Sequence, residues 1–225
     1  MHVGDTTAVI VADDGHGGVA EQTFNLAVEH TNHAPVILSS PVSVVKEDEP
    51  YFYQLMAADQ DSALFADVLR FRAIQKPAWL SLNETSGTLD GIPRINDLTD
   101  TLVIIEAYDS YTSTARQSFS VGITHVNHVP MISSTAKSSA KEDSLYSYQV
   151  VTHYIDTLVG DVMRYGLVVK PSWLAVDSIS GHITGIPRGV NVGDTVVVVN
   201  VSDGNGGTAS QSFQIAIDHT NHAPV

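Results

Sequence analysis

Cysteine is absent from the 225 residues of this chain. A disulfide framework and a thiolate metal site are therefore both excluded. Basic residues are also scarce, with 11 Lys and Arg against 25 Asp and Glu and a formal net charge of −14. Because an acidic surface repels phosphate groups, nucleic acid and anionic membrane surfaces are not expected partners.

Long apolar runs and helical periodicity are missing as well. No run approaches the roughly 20 apolar residues that cross a bilayer, and no signal-peptide pattern opens the chain, so no membrane insertion is predicted for this fragment. The sequence also contains no nucleophile elbow, no phosphate-cradling loop and no His-Glu-x-x-His motif. We therefore predict a protein that is not an enzyme.

The chain does contain one motif, His-x-Asn-His-x-Pro, three times. Its asparagines are Asn32, Asn127 and Asn221, which lie 95 and 94 residues apart (127 − 32 and 221 − 127). This spacing is typical of one small domain, and the proline that ends each motif cannot continue a sheet ladder. The motif therefore predicts linkers between repeated modules.

The first residues of the chain match its last ones. Asp14-Gly-His-Gly-Gly18 corresponds to Asp203-Gly-Asn-Gly-Gly207, 189 residues later. We interpret the opening segment as the C-terminal hairpin of a preceding repeat, in a piece of a longer array whose other repeats are its partners. Since two strands alone cannot bury a core, the hairpin is expected to pack on its neighbour, to pair with another molecule or to be poorly ordered. The predicted segments are 1–33 (hairpin), 34–126 (first module), 127–220 (second module) and 221–225 (start of the next linker).

Both modules consist of short alternating runs that are punctuated by glycine and proline. One face keeps its apolar character in both modules and is the predicted core face. It carries Tyr51, Tyr53, Leu55 and Ala57 in the first module and Tyr146, Tyr148 and Val150 in the second. The pattern predicts an all-β chain of tandem antiparallel β-sandwiches.

The order of several motifs resembles the dystroglycan-type cadherin-like repeats, also described as immunoglobulin-like, of large bacterial surface proteins. The motifs include Asp59-Gln-Asp61, Pro77-Ala-Trp79-Leu80, Ala107-Tyr-Asp109 and Asn127-His-Val-Pro130. The resemblance implies seven-stranded sandwiches, export to the cell surface, adhesive or spacer roles and, in many members, calcium at the linkers. Related linkers often read Asp-x-Asn-Asp-x-Pro, whereas here histidine, a poor calcium ligand, stands at both aspartate positions.

Acidic residues follow predicted strands whose loops lie at the same end of an immunoglobulin-like sandwich. Asp59, Asp61 and Asp109 are expected to converge near Asn32, and their oxygens could hold one Ca²⁺ weakly. The alternative is that these acidic residues are solvated and merely set turns.

The second module repeats this pattern with one change. It keeps Asp156, Asp203 and Asn127, but Tyr154 replaces the first aspartate. We therefore expect a calcium site there that is weaker or empty.

A second kind of metal site involves the linker histidines. Glu47 precedes a predicted strand and should lie near His125 and His128, and carboxylate with imidazole suits Zn²⁺, Ni²⁺ or Cu²⁺. Residues three apart in an extended linker point to opposite faces, so a turn would be needed to bring both rings onto one ion. The alternative is that the histidines serve packing and hydrogen bonding between domains.

The function predicted from these patterns is a non-catalytic extracellular adhesion or spacer pair, with a cell-surface protein or a glycan as partner. The alternative is a carbohydrate-binding module with an exposed aromatic platform. Trp79 and Trp173 are its candidates, but their repetition after proline and before leucine favours a packing role.

Overall fold

A computed structural model describes residues 4–62, 67–99 and 101–223. Pro224 of the third motif and the end of the predicted segment 221–225 lie outside the described residues. Strand accounts for 50% of the structure and helix for 5%, which confirms the all-β prediction. Within the described ranges, no helix has the length and apolar character needed to span a bilayer.

The chain divides into two compact units that interleave along the sequence. The first comprises Met1–Ser43, Pro50–Gly91 and Asp100–Gly122, and the second comprises Val44–Glu49, Ile92–Thr99 and Ile123–Val225. In chain order the strands are β1 (Gly4–Asp13), β2 (Val19–Val28), β3 (Val36–Ile37), β4 (Val44–Lys46), β5 (Tyr51–Gln54), β6 (Ala57–Ala58), β7 (Arg70–Gln75), β8 (Leu80–Leu82), β9 (Thr88–Gly91), β10 (Thr101–Tyr108), β11 (Thr114–Thr124), β12 (Met131–Ile132), β13 (Ser139–Lys141), β14 (Tyr146–Gln149), β15 (Thr152–His153), β16 (Arg164–Val169), β17 (Leu174–Val176), β18 (His182–Gly185), β19 (Gly193–Ser202) and β20 (Thr208–Asp218). Short 3-10 turns occur at Ile95–Asp97, Asp156–Val159 and Gly189–Asn191.

Two facing sheets form the core of the first unit. One has the strand order β5-β9-β8, and in the other β10 lies between β7 and β11, with antiparallel pairing in both. Tyr53 on β5 crosses to the opposite sheet, where its ring meets Phe119 edge-on at 5.8 Å between centroids. Its hydroxyl also donates to Gln117 Oε1 at 2.8 Å. These contacts identify the unit as a β-sandwich.

The second unit repeats the same construction. Its sheets have the orders β14-β18-β17 and β13-β20-β19-β16, and β13 runs parallel to β20. Tyr148 on β14 meets Phe213 on β20 at 5.7 Å and donates to Gln211 Oε1 at 2.8 Å. The equivalent tyrosine therefore bridges the two sheets in each unit.

The predicted core face is confirmed at six of its seven positions. Tyr51, Tyr53, Leu55, Tyr146, Tyr148 and Val150 are all buried. Ala57 is only half-buried, and it begins the separate strand β6 after β5 has ended at Gln54. The alternation of the sequence therefore extends past the point where the strand itself ends.

Both tryptophans pack against the sheet that carries the core tyrosines. The Trp79 ring meets Tyr51 edge-on at 5.8 Å, and Trp173 meets Tyr146 in the same way at 5.9 Å. Their backbones approach closely as well, since a Cβ added at Gly185 would lie 2.1 Å from the Trp173 carbonyl oxygen. Glycine is therefore required at that position of the repeat.

In the opening segment, the strands β1 and β2 pair as a hairpin in antiparallel register, from Gly4 with Val28 to Asp13 with Val19. Its apolar face is exposed, with Ile10 at 56% and Leu26 at 51%, whereas the matching Val199 and Ile215 of the second unit are at 0%. The hairpin thus has the pairing of its counterpart without the covering layer.

Candidate metal centres

Three aspartates converge at one end of the first unit. Asp59 follows β6, Asp109 follows β10, and Asp67 lies shortly before β7. One oxygen from each carboxylate lies within 4.8 Å of the others, and the residues are only 9%, 3% and 5% exposed, respectively. Asp59 and Asp109 were predicted members of this group, and Asp67 was not. The signal that could have found Asp67 is its counterpart Asp161, 94 residues later.

Each of these carboxylates is held by the backbone of its loops. Asp59 Oδ1 accepts the Asp61 N–H at 2.7 Å, and Asp67 Oδ1 accepts the Ser110 N–H at 2.7 Å. Asp109 Oδ1 accepts N–H groups from Tyr111 and Ser113 at 2.9 and 2.8 Å. One oxygen of each group thus fixes its loop, which leaves the other oxygen for a different partner.

Asn32 brings the linker into the same group. Its amide nitrogen donates to Asp109 Oδ2 at 2.8 Å. Among the buried side-chain atoms of the described residues, Asn32 Oδ1, Asp59 Oδ2 and Asp67 Oδ2 have no hydrogen-bond partner. An unpaired buried oxygen is costly, and carboxylate and amide oxygens are the ligands that Ca²⁺ prefers. This donor set therefore fits calcium.

Asp61, the remaining predicted ligand, is engaged by the linker histidines. Its Oδ2 accepts the His33 N–H at 2.6 Å, and the His33 ring nitrogen Nδ1 lies 3.2 Å away. The ring of His30 approaches the same oxygen at 3.6 Å. Burial alone would raise the pKa of Asp61, but the hydrogen bonds from His33 and the charge of both histidines hold it below its ordinary value. Asp61 as a calcium ligand stays a prediction.

In the second unit, protein donors bond to Asp161, the carboxylate that corresponds to Asp67. The Tyr154 hydroxyl donates to Asp161 Oδ2 at 2.6 Å, and the Asn205 amide donates to Asp161 Oδ1 at 2.6 Å. Asn127 donates to Asp203 Oδ2 at 3.1 Å. Burial, together with the bond to Asp161, raises the pKa of Tyr154 far above its ordinary value, so the hydroxyl keeps its proton. These bonds agree with the expectation of a weaker or empty site, which stays a prediction.

The transition-metal candidates also come together, all within the second unit. Glu47 is 1% exposed, and its Oε2 lies 2.7 Å from His125 Nδ1 and accepts the Val126 N–H at 3.1 Å. Its other oxygen, Oε1, is buried without a hydrogen-bond partner. The predicted proximity of Glu47 to the linker histidines is therefore observed.

His128 lies between two carboxylates, those of Asp156 and Asp48. Its Nδ1 is 2.8 Å from Asp156 Oδ1, and its Nε2 is 2.8 Å from Asp48 Oδ2. The hydrogen bond to Asp48 raises the pKa of His128 although burial opposes it, and the same bond lowers the pKa of Asp48. The His125 and His128 rings lie 6.3 Å apart, and both face Asp156. The two rings are thus on one side of the linker rather than on opposite faces.

The family of the chain follows from a comparison with known domains. The profile described as "Putative Ig domain" matches residues 34–124 and 129–218, which together make up most of the sequence. The chain belongs to the Putative Ig domain family. It carries two Ig domains in tandem, which confirms the resemblance to immunoglobulin-like repeats. No curated protein matches the chain.

Solved structures with a similar fold include cadherin repeats. The two Ig domains with their linker are similar to "PcdhgB3 EC1-4 in 50 mM HEPES" at 17% identity, covering 96% of this chain and 58% of that one with a TM-score of 0.55. The chain is also similar to the protocadherin GammaB4 extracellular domain at 17% identity. That match covers 96% of this chain and 38% of the protocadherin, with a TM-score of 0.50. At such identities the likeness shows the fold alone, and the predicted cadherin-like sandwich is confirmed. The chain spans less than two thirds of the length of these proteins.

An endo-fucoidan hydrolase from glycoside hydrolase family 107 also resembles the chain. Its identity is 19%, and the match covers 98% of this chain and 34% of the hydrolase, but the TM-score is only 0.36. This similarity carries no argument about catalysis.

Proposed function

We propose that the two Ig domains are non-catalytic adhesion or spacer repeats of an extracellular protein, and that the first of them binds Ca²⁺ through Asp59, Asp67, Asp109 and Asn32. Domains of this fold are typically extracellular. The resemblance to repeats of large bacterial surface proteins supports a place on a bacterial cell surface. Partners would be neighbouring repeats of the array together with a cell-surface protein or a glycan.

The observation that supports the calcium site is the set of three buried oxygens without hydrogen-bond partners, beside three converging carboxylates. Because the three oxygens lie within 4.8 Å of one another, each pair of charges repels by at least roughly 3.5 kcal/mol at an effective dielectric constant of about 20. A divalent cation removes this repulsion and supplies the missing partner of the orphaned oxygens. Since extracellular modules bind calcium with Kd values of about 10⁻⁴ to 10⁻³ M, the ion would stabilise the domain at millimolar calcium.

The packing of both tryptophans supports a spacer role over carbohydrate binding. Trp79 and Trp173 each lie edge-on to a buried tyrosine and behind a glycine, so their rings form part of the domain. A sugar platform requires an exposed aromatic face. Binding to a glycan array is the discriminating measurement. Retention on a defined glycan that is lost on Trp79→Ala would support the carbohydrate-binding alternative.

The calcium proposal is tested by calorimetric titration of the full chain. Asp67→Asn removes one charge from the cluster while preserving shape, and we expect it to weaken calcium binding at least about tenfold, because affinity in such sites is tuned by ligand charge. Asp90→Asn removes a charge from an exposed aspartate of the same unit and is the matched control. Equal calcium binding by the wild type and both variants would refute the site.

A further inference from the structure

We propose that the linker builds a binding site for a transition-metal ion of the Zn²⁺ class from Glu47, Asp48 and His128, and that the chain repeats this site at Glu142, Asp143 and His222. The site is separate from the calcium site and does not depend on it.

The site contains a buried carboxylate oxygen that has no hydrogen-bond partner. One ligand atom from each of Glu47, Asp48 and His128 lies within 4.8 Å of the others. Glu47 is almost completely buried, and its Oε1 has no hydrogen-bond partner although Oε2 has two. A buried carboxylate oxygen without a donor needs a cation or a proton, and a metal ion would satisfy it.

Backbone constraints fix both carboxylates. Glu47 N–H donates to the Thr124 carbonyl at 2.9 Å. Asp48 has a φ of +61°, which a residue other than glycine rarely adopts, and its N–H donates to the Pro93 carbonyl at 2.9 Å. The Arg94 guanidinium pairs with Asp48 Oδ1, so Oδ2 is the oxygen turned towards His128. The strained turn thus presents two neighbouring carboxylates to one side.

The same arrangement recurs at Glu142, Asp143 and His222. Asp143 has a φ of +58° and bonds to the Pro187 carbonyl, and Glu142 Oε2 lies 2.7 Å from His219 Nδ1. His222 Nε2 is 3.2 Å from Asp143 Oδ2 and 3.6 Å from Glu142 Oε1. Ligands of a tetrahedral ion with bonds of about 2.1 Å lie roughly 3.4 Å apart. The two distances from His222 are therefore close to the separation that a tetrahedral ion requires.

The donor set determines the class of metal. Calcium and magnesium prefer oxygen ligands alone, whereas imidazole favours zinc, copper and nickel. Asp156 Oδ1 faces His128 Nδ1, and a metal-binding histidine usually donates its other ring nitrogen to such a carboxylate. With a proton on Nδ1 for this bond, zinc would take the place of the Nε2 proton that faces Asp48, and that proton would be released on binding. His125 holds Glu47 in place through its Oε2 and is a positioning residue.

The test is a calorimetric titration of the full chain with ZnCl₂ alone. We expect two zinc ions per chain, and one after Glu47→Gln with His128→Gln. His182→Gln removes an exposed histidine outside both clusters and should retain two. Asp156→Asn should weaken the first site about tenfold through the loss of ring positioning. Unchanged zinc binding in the Glu47→Gln, His128→Gln variant would overturn the proposal.

A measurement on the unaltered chain does not depend on whether the variants fold. In ¹⁵N spectra of histidine rings, zinc should shift Nε2 of His128 and His222 before it affects His182. Zinc that shifts His182 first, or all rings together, indicates adventitious surface binding and refutes the site. Asp59→Asn should leave the zinc response intact, which separates this outcome from failure of the calcium site.

Discussion

The two units differ at one position of the proposed calcium site, so one substitution should create a calcium site in the second unit. Tyr154 stands where the first unit has Asp59, and its hydroxyl donates to the Asp161 carboxylate that would otherwise face a cation. Tyr154→Asp removes this donor and restores the third charge. To isolate the effect, the change is made in an Asp59→Asn background, which disables the first site.

The expected magnitude follows from linkage. A ligand that binds only the folded state stabilises it by RT ln(1 + [L]/Kd), which at about 10 mM calcium and a Kd of about 10⁻⁴ to 10⁻³ M is roughly 1.4–2.7 kcal/mol. For a domain of this size that corresponds to a rise of roughly 5–20 °C in unfolding temperature. Without calcium the variant should be less stable than its parent, because three carboxylates then face each other unneutralised.

The assay is thermal unfolding followed by circular dichroism, with and without calcium. Tyr154→Asn in the same background is the control, since it removes the phenol without adding a charge and should show no calcium-dependent shift. A folded Tyr154→Asp variant that gains no more calcium stabilisation than this control would refute the reasoning.

Two further predictions concern stability. Gly185→Ala places a Cβ 2.1 Å from the Trp173 carbonyl and should lower the free energy of unfolding in urea by about 1–3 kcal/mol or more. Gly166 has open space around it, so Gly166→Ala should lower it by less than about 0.5 kcal/mol. Equal losses in the two variants would contradict close packing at Gly185. Hydrogen bonds and charge from Arg116 and Arg72 hold the pKa of Glu106 below its ordinary value of 4.5, although burial opposes them. The ionised Glu106 therefore stabilises the folded state above pH 4.5, and this stabilisation is lost as the pH falls below that value. Glu106→Gln should therefore lower the urea midpoint at pH 7 and have less effect at pH 3, and a pH-independent difference would count against the ion pairs.

Much of the architecture could be predicted because the repeat supplies an internal comparison. Positions such as Tyr53 and Tyr148 keep their apolar phase in both modules, and such agreement identifies a core face. The end of a strand is harder to predict, because Ala57 continues the alternation after the backbone has left the sheet at Gln54. The alternation of apolar residues indicates which face of the strand a residue lies on, but it does not indicate where the backbone hydrogen bonds of the sheet end.

The sites were predicted in part for a similar reason. Asp59 and Asp109 follow strands, so their loops could be placed at one end of the sandwich. Asp67 lies in a segment without strand periodicity, and only the folded loop brings it to the group. The position of His128 depends on a turn of the linker, which alternation in an extended chain does not predict.

The contact between Glu47 and His125 recurs between Glu142 and His219 at the same 2.7 Å. Each module thus ends in the same half of a connector, and the linker that follows it supplies the other half. A module that is inserted or removed as a whole would therefore leave this contact intact at the linkers that remain.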